Sequence, residues 1–303
     1  PQPRIRGYRR PKFNNLLVRT CIFRLQKAVA SQSGRERTGV GRSRQRRAHL
    51  PGVLQDLVVE RIVRSARMPQ THDYLAKKIN SFVKLSPAEL EGLAQLQSVP
   101  VPVERGVELL HQGESGHVAY ILRSGWGCSF NILRDGSRQI ITFPIPGDLI
   151  GLRSVLLKTS DHAFSTVTDA QICRVNVARV TTLFEQFPRL GTAIMWATSR
   201  DEAITVEHLA SIGRRTSLER TAHFFLELRD RLQLVGLASA TEYECPLNQY
   251  VLADVLGLSA IHVNRVLRQL RELNYMTFQG QMVTLLNPAG LAELAGYDTI
   301  EAR

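Results

Sequence analysis

Cysteine is scarce and scattered in this chain. Only Cys21, Cys128, Cys173 and Cys245 occur among 303 residues. No CxxC or Cys/His pair has metal-ligand spacing, so neither a zinc-finger site nor a disulfide framework is expected. Reduced thiols packed in the cores of a cytosolic, cytoplasmic protein fit this usage. No run of 18 uninterrupted apolar residues occurs, so no membrane-spanning helix is expected. There is no P-loop, no GxSxG, no HExxH and no convincing catalytic triad, which leaves an enzyme with little support. Methionine is absent before Met68.

The net charge of +12 looks like a nucleic-acid signal until it is divided along the chain. Residues 1–67 hold 17 Lys/Arg and 3 Asp/Glu, and the remainder holds 22 and 24. All of the excess therefore sits in the first 67 residues, whose apolar spacing is irregular and which would not fold alone. Three readings stand: a basic arm that binds nucleic acid nonspecifically, a segment like an organelle transit peptide, or upstream sequence joined by a misplaced start. The missing methionine favours the last, with translation beginning at Met68.

Beyond Met68 the pattern predicts helices over Thr71–Phe82 and Ser86–Leu96. The second opens with Ser86, Pro87 and Glu89 as N-cap, first and third positions. Short glycine-broken strands follow at Val99–Val103, Val107–His111, Val118–Arg123, Cys128–Leu133, Gln139–Pro144, Phe164–Thr168 and Gln171–Asn176. Asp135-Gly136 is a hairpin turn. Many short strands imply a β-sandwich or β-roll. After Val177 the period becomes helical, with a short helix over Val180–Phe187 and a long one from Pro188 to Ile212. In the long helix Leu190, Ala197 and Ile204 recur every seven residues, with Ile194 between. That stripe suits the core, and also pairing with a second copy, although Asp201 and His208 interrupt it. Ser217-Leu218-Glu219-Arg220 starts a further helix.

The stretch Pro246–Leu286 is the most telling. Asn248 caps a helix with an apolar face of Val251, Leu252, Val255 and Leu256, and Gly257 ends it. Ser259 caps a second helix reaching Leu273, with Val263, Val266, Leu267, Leu270 and Leu273 facing inward. Its opposite stripe carries Ile261, Asn264, Arg265, Arg268 and Arg271, whose amide and guanidinium groups match base edges in a DNA major groove. Tyr275–Phe278 and Gln281–Leu285 form a hairpin around Gln279-Gly280, the wing of a winged helix-turn-helix. Residues 213–286 hold 8 Lys/Arg and 7 Asp/Glu, so affinity must rest on local patches.

The order β-roll, long helix, winged helix-turn-helix resembles the Crp/Fnr family of bacterial transcription regulators. The motifs that carry it are Gly113-Glu114, the run Tyr120–Trp126, the turn Phe143–Gly151 (FPIPGDLIG), Arg220-Thr221-Ala222, and Leu252–Ser259 with Val263–Leu267. The resemblance implies an α+β chain in four parts. These are the extension 1–67, a cyclic-nucleotide-binding-like β-roll sensor over 68–180, a dimerisation helix over 181–213 and the DNA-binding domain over 214–303. It implies a homodimer on double-stranded DNA with a roughly palindromic site, no membrane partner, and RNA polymerase as a partner if the protein activates. Arg265 is the expected guanine reader. His262, Asn264, Arg268, Ile261 and Gln249 complete the expected contacts, with Ser259 on a phosphate. Ala260 and Ile261 stand where the cyclic-AMP receptor carries an Arg-Glu pair, so the DNA consensus should differ.

The resemblance also points to an effector pocket at Gly147, Asp148, Leu149, Ile150, Gly151, Leu152 and His162. Receptors of cyclic nucleotides hold the ribose with a Glu at the place of Leu152 and the phosphate with an Arg further on. No Arg or Lys lies between Thr159 and Cys173, so weak or no cyclic-AMP binding is expected. The oxygen-sensing branch needs an N-terminal cysteine cluster for an iron–sulfur centre, and none lies between Met68 and Trp126. No cofactor is predicted; haem stays open through His72, His111, His117 and His162. The competing reading is a ligand-binding regulatory module that acts through protein partners, its helix-turn-helix vestigial.

Overall fold

The computed structural model describes residues 73–298 except 115–117 and Lys158. The basic segment with Cys21, and also His72 and His117, lie outside the described residues. Helix α1 (Tyr74–Asn80) starts at Asp73, whose carboxylate accepts from the Ala76 amide at 3.0 Å. Helix α2 (Pro87–Gln95) carries the expected start: Ser86 and Glu89 satisfy each other's backbone amides in a capping box.

Eight strands follow, β1 (Val101–Val103), β2 (Glu108–Leu110), β3 (Tyr120–Ser124), β4 (Gly127–Ile132), β5 (Arg138–Thr142), β6 (Leu149–Ile150), β7 (Ala163–Thr166) and β8 (Ala170–Arg174). They form two four-stranded antiparallel sheets, in the orders β1-β8-β3-β6 and β2-β7-β4-β5. Leu110, Leu122, Ile150, Phe164, Ala170 and Ile172 form a buried cluster drawn from both sheets. The two-residue β6 and the short α3 (Leu152–Leu157) were not expected, because neither is long enough to show a period.

Helix α4 (Ala178–Gln186) leads into α5 (Pro188–Arg214), a rod of 27 residues. Leu190, Ala193, Ile194 and Ala197 on α5 pack in one cluster with Leu75, Ile79 and Leu93, and Ile204 is also buried. The stripe expected to suit self-pairing is therefore spent inside the chain. A different face of α5 is open. Thr192, Met195, Ser199, Glu202, Val206, Leu209 and Gly213 alternate at steps of three and four, and all are exposed, with Met195, Val206 and Leu209 at 64, 59 and 73 %. These steps have the spacing of a heptad repeat.

The C-terminal part comprises α6 (Ser217–Leu234), β9 (Glu242–Glu244), α7 (Gln249–Leu256), α8 (Ala260–Glu272), β10 (Met276–Gln279), β11 (Met282–Leu285) and α9 (Pro288–Ala295). Helix α6 starts at Ser217 as expected, and Thr216 before it is the cap, again with a capping box to Glu219. The wing pairs Gln279 with Met282, so its tip is Gly280-Gln281, one residue later than expected. Both tip residues have positive φ (56° and 68°), as a two-residue primed turn requires. Strand β9 adds a third strand beside β11. One buried cluster runs from Trp126, Phe130, Ile140 and Phe143 of the β-roll through Phe224, Phe225 and Leu228 to Val263 and Leu291. The β-roll and the helix-turn-helix unit thus share a continuous core.

Candidate nucleic-acid interface and the charged seam behind it

The Asn248 side chain accepts from the amides of Tyr250 and Val251, both at 3.0 Å, and starts α7. Gly257 ends it at φ 61°, ψ 40°, the left-handed conformation that a side chain would strain. The chain then turns, and α8 leaves at 95° to α7, within the helix-turn-helix range. Ser259 caps α8 by accepting from the His262 amide at 3.2 Å.

Val263, Val266 and Leu270 are almost fully buried and fix the roll of α8 about its axis. Leu273, expected to face inward, is 50 % exposed, because it is the C-cap and lies past the last helical turn. Opposite them, Ile261, Asn264, Arg265, Arg268 and Arg271 are exposed. Arg265 makes no ion pair among the described residues, and its guanidinium is open to a partner. Asn264 donates its amide to the Gln249 side chain at 2.7 Å, so those two expected contact residues form a bridge between the helices. Arg268 lies 3.7 Å from Glu272 in an exposed pair that water screens. His262 departs from the expected row. It is half-buried, and its Nε2 lies 3.0 Å from the Ser217 hydroxyl at the start of α6, so it braces α8 from behind.

Arg220 braces the motif from another side. Its guanidinium donates to the carbonyl of Leu256 at 2.5 Å, and to those of Ile212 and Arg215 at 3.1 and 3.2 Å. The C-terminal ends of α7 and α5 are thereby held together, a favourable place for a cation.

Behind the interface lies a seam that sequence reasoning missed. Asp148, in the expected effector turn, is buried. It meets Lys78 of α1 at 2.8 Å and Arg231 of α6 at 3.0 Å, and it accepts from the Ile145 amide at 2.9 Å. Burial alone would raise its carboxyl pKa, but Lys78 and then Arg231 hold it below the ordinary range. Arg231 also donates to the Phe143 carbonyl at 2.7 Å and lies 3.5 Å from Glu227. His208 on α5 completes the seam. Its Nδ1 lies 2.9 Å from the Ile141 carbonyl and its Nε2 2.6 Å from the Glu227 carboxylate. Both partners are acceptors, so the ring carries two protons. Burial opposes that charge, but Glu227 outweighs it and raises the His208 pKa. Asp201, the other residue that broke the α5 stripe, lies 3.0 Å from Lys78. At the edge, Arg138 of β5 meets Asp254 of α7 at 2.6 Å, and Gln139 donates to the Asp254 carbonyl.

The rest of the effector turn is ordered around this seam. Gly147 has φ 96°, and a Cβ there would sit 2.7 Å from the Tyr74 carbonyl, so the close approach of α1 demands glycine. Leu149 and Ile150 pair with Ile121 and Tyr120, Gly151 has φ 73°, and Leu152 opens α3 half-buried. His162 and Arg153 both turn to Asp161, at 2.7 and 3.0 Å. His111 pairs with Glu108 at 2.7 Å. Among the described residues no group of three or more His, Cys, Asp and Glu is arranged around a metal position. Cys128, Cys173 and Cys245 are buried. Burial pushes the Cys173 and Cys245 thiols up to about 11 and about 12, away from the thiolate that iron–sulfur ligation needs.

Two family profiles match the chain: the Crp-like helix-turn-helix domain over residues 219–294, and the cyclic nucleotide-binding domain over residues 100–187. The chain is similar to the "Fumarate and nitrate reduction regulatory protein" of Vibrio cholerae, 26 % identical over 70 % of this chain and 84 % of that one. It is similar also to the "Transcriptional activator protein anr" of Pseudomonas aeruginosa, 25 % identical over 76 % of this chain and 94 % of that one. Among solved structures, FixK2 from Bradyrhizobium japonicum superposes with a TM-score of 0.58 at 26 % identity, covering 67 % of this chain and 100 % of that one. A CooA mutant from Carboxydothermus hydrogenoformans shares the fold at a TM-score of 0.56 and 14 % identity, over 76 % of this chain and 98 % of that one.

Proposed function

Because this chain belongs to the Crp/Fnr family of transcriptional regulators, we propose that it works as a homodimer on double-stranded DNA, with α8 of each copy in one of two successive major grooves. The observation that carries this reading is the exposed row Ile261, Asn264, Arg265 and Arg268 on a helix whose roll is fixed from behind. Arg265 donates two hydrogen bonds to a guanine, Arg268 and Ser259 serve phosphates, and the Gln249–Asn264 bridge presents an amide edge. The open heptad face of α5 joins the two copies. The cytoplasm, where the DNA is, is the working compartment.

The β-roll binds cyclic AMP weakly or not at all. Leu152 replaces the ribose-holding acid, no cation stands between Thr159 and Cys173 for the cyclic phosphate, and Asp148 is already engaged by Lys78 and Arg231. The described cysteines do not fit an iron–sulfur cluster either, being separate in sequence, buried and held as thiols.

The test is selection from a random duplex pool with the whole chain, with and without small-molecule extract. A two-fold symmetric consensus with half-site centres about one helical turn apart supports the reading. No enrichment in either condition overturns it. Sedimentation of Leu209→Glu checks the dimer seam: the variant should run as a monomer at concentrations where the parent is a dimer.

A further inference from the structure

Ile261 has no packing reason to be isoleucine. It is 76 % exposed, and it is absent from the apolar residues that pack on the shared core, which include its neighbour Ala260. It stands at the second position of α8, where a β-branched side chain slightly disfavours the helix. Ser259 and His262 on either side are tied down, through the cap and through Ser217. Ile261 therefore projects from a fixed place on the same face as Arg265, one turn further on. No acidic residue lies between Ser259 and Arg271, so the row holds no carboxylate to accept from a cytosine amino group.

In the major groove every base edge offers hydrogen-bonding groups, and the one apolar feature is the thymine 5-methyl group. An isoleucine laid on any other edge strips water from polar atoms without replacing their hydrogen bonds, which is unfavourable. Residues four apart on a helix are about 5–6 Å apart, and successive bases rise about 3.4 Å. We infer that Ile261 is a specificity-determining residue that packs on the 5-methyl group of a thymine one or two base steps from the guanine read by Arg265. Each half-site then carries that thymine at a fixed offset from its guanine. This rests on the DNA-binding reading above and adds the identity of a second base position.

The test uses the selected operator and the whole chain. Deoxyuridine replaces the thymine at that offset, removing only the methyl group. Affinity should fall about fourfold per half-site, the worth of one buried methyl-sized group. Ile261→Ala should bind the thymine operator with a similar loss and should no longer distinguish thymine from deoxyuridine. Its melting temperature should match the parent, since the side chain is exposed. Equal binding of both operators by the parent protein overturns the proposal, as does full methyl sensitivity in Ile261→Ala. Failure of the underlying reading looks different: the parent protein then binds no operator, or binds one that Arg265→Ala holds equally well.

Discussion

Arg231 and Arg265 show how differently one side chain is used in the two halves of the charge design. Arg231 is buried, with Asp148, Glu227 and the Phe143 carbonyl around it. Arg265 stands in water with no ion pair among the described residues. The first joins the turn at Asp148 to α6, and its partners are permanent parts of the chain. In the proposed function, the partner of the second belongs to another molecule. A buried charge that loses its partner is costly, whereas an exposed one is nearly neutral until a ligand arrives. The seam should therefore govern stability and the orientation of the reader, and the outer row should govern affinity alone.

The largest effect expected from this contrast is on the seam. Arg231→Met leaves Asp148 and Glu227 each short of a cation, and breaking such a buried pair costs about 3–5 kcal/mol. The melting temperature should fall by about 10 °C, and adding Asp148→Asn should restore part of the loss. A change below about 2 °C would show that the seam is not structural. Arg265→Ala should do the reverse. Operator affinity should drop about 10- to 100-fold per half-site, from about 1–3 kcal/mol of discrimination, while the melting curve stays in place.

The buried His223 and the half-buried His208 refine the contrast through pH. Burial, then Arg215, depresses His223 from its ordinary 6.5 to about 4. Between those values the unfolded chain binds the extra proton, so stability falls as pH drops, by at most about 1.4 kcal/mol per unit. For His208, burial is outweighed by Glu227 and the pKa is raised. Its contribution is complete below 6.5 and is lost as pH rises through the folded value. Stability should peak near pH 6.5 in urea titrations; His223→Gln should flatten the acid limb and His208→Gln the alkaline one. The smallest effect is expected at the rim. Arg138→Ala removes a partly exposed pair with Asp254 and should cost under about 1 kcal/mol by the same titration.

The outer row was legible because it repeats a local period. Val263, Val266 and Leu270 mark the inner face of α8, and the exposed face follows from geometry alone. The seam was not legible, because Lys78, Asp148, His208 and Arg231 come from four separate segments and no spacing connects them. Its one sequence trace was negative: Asp201 and His208 broke an otherwise apolar stripe on α5. That stripe was half legible: Leu190 and Ala197 pack with residues of α1 and α2 and Ile204 is buried, as a core stripe should be, so the pairing it also suited is not available, while the mixed row Thr192 to Gly213 is the one left open. His262 shows a finer limit, because a residue at the edge of a helical face turns inward or outward according to a neighbour, here Ser217. Strands β6 and β9 were missed because sheet membership of two or three residues depends on a partner strand.

The shared core has a consequence for modular engineering. Phe143 of the β-roll packs edge-on against Phe224 of α6, with ring centres 5.9 Å apart, inside a cluster that continues to Leu291. Cutting the chain after α5 would split a single oil drop, not separate two beads on a string. A chimera that grafts this reader onto a foreign receptor must import the β5 strand and the turn to Asp148 with it, or it will present a raw apolar wound and an unmatched guanidinium.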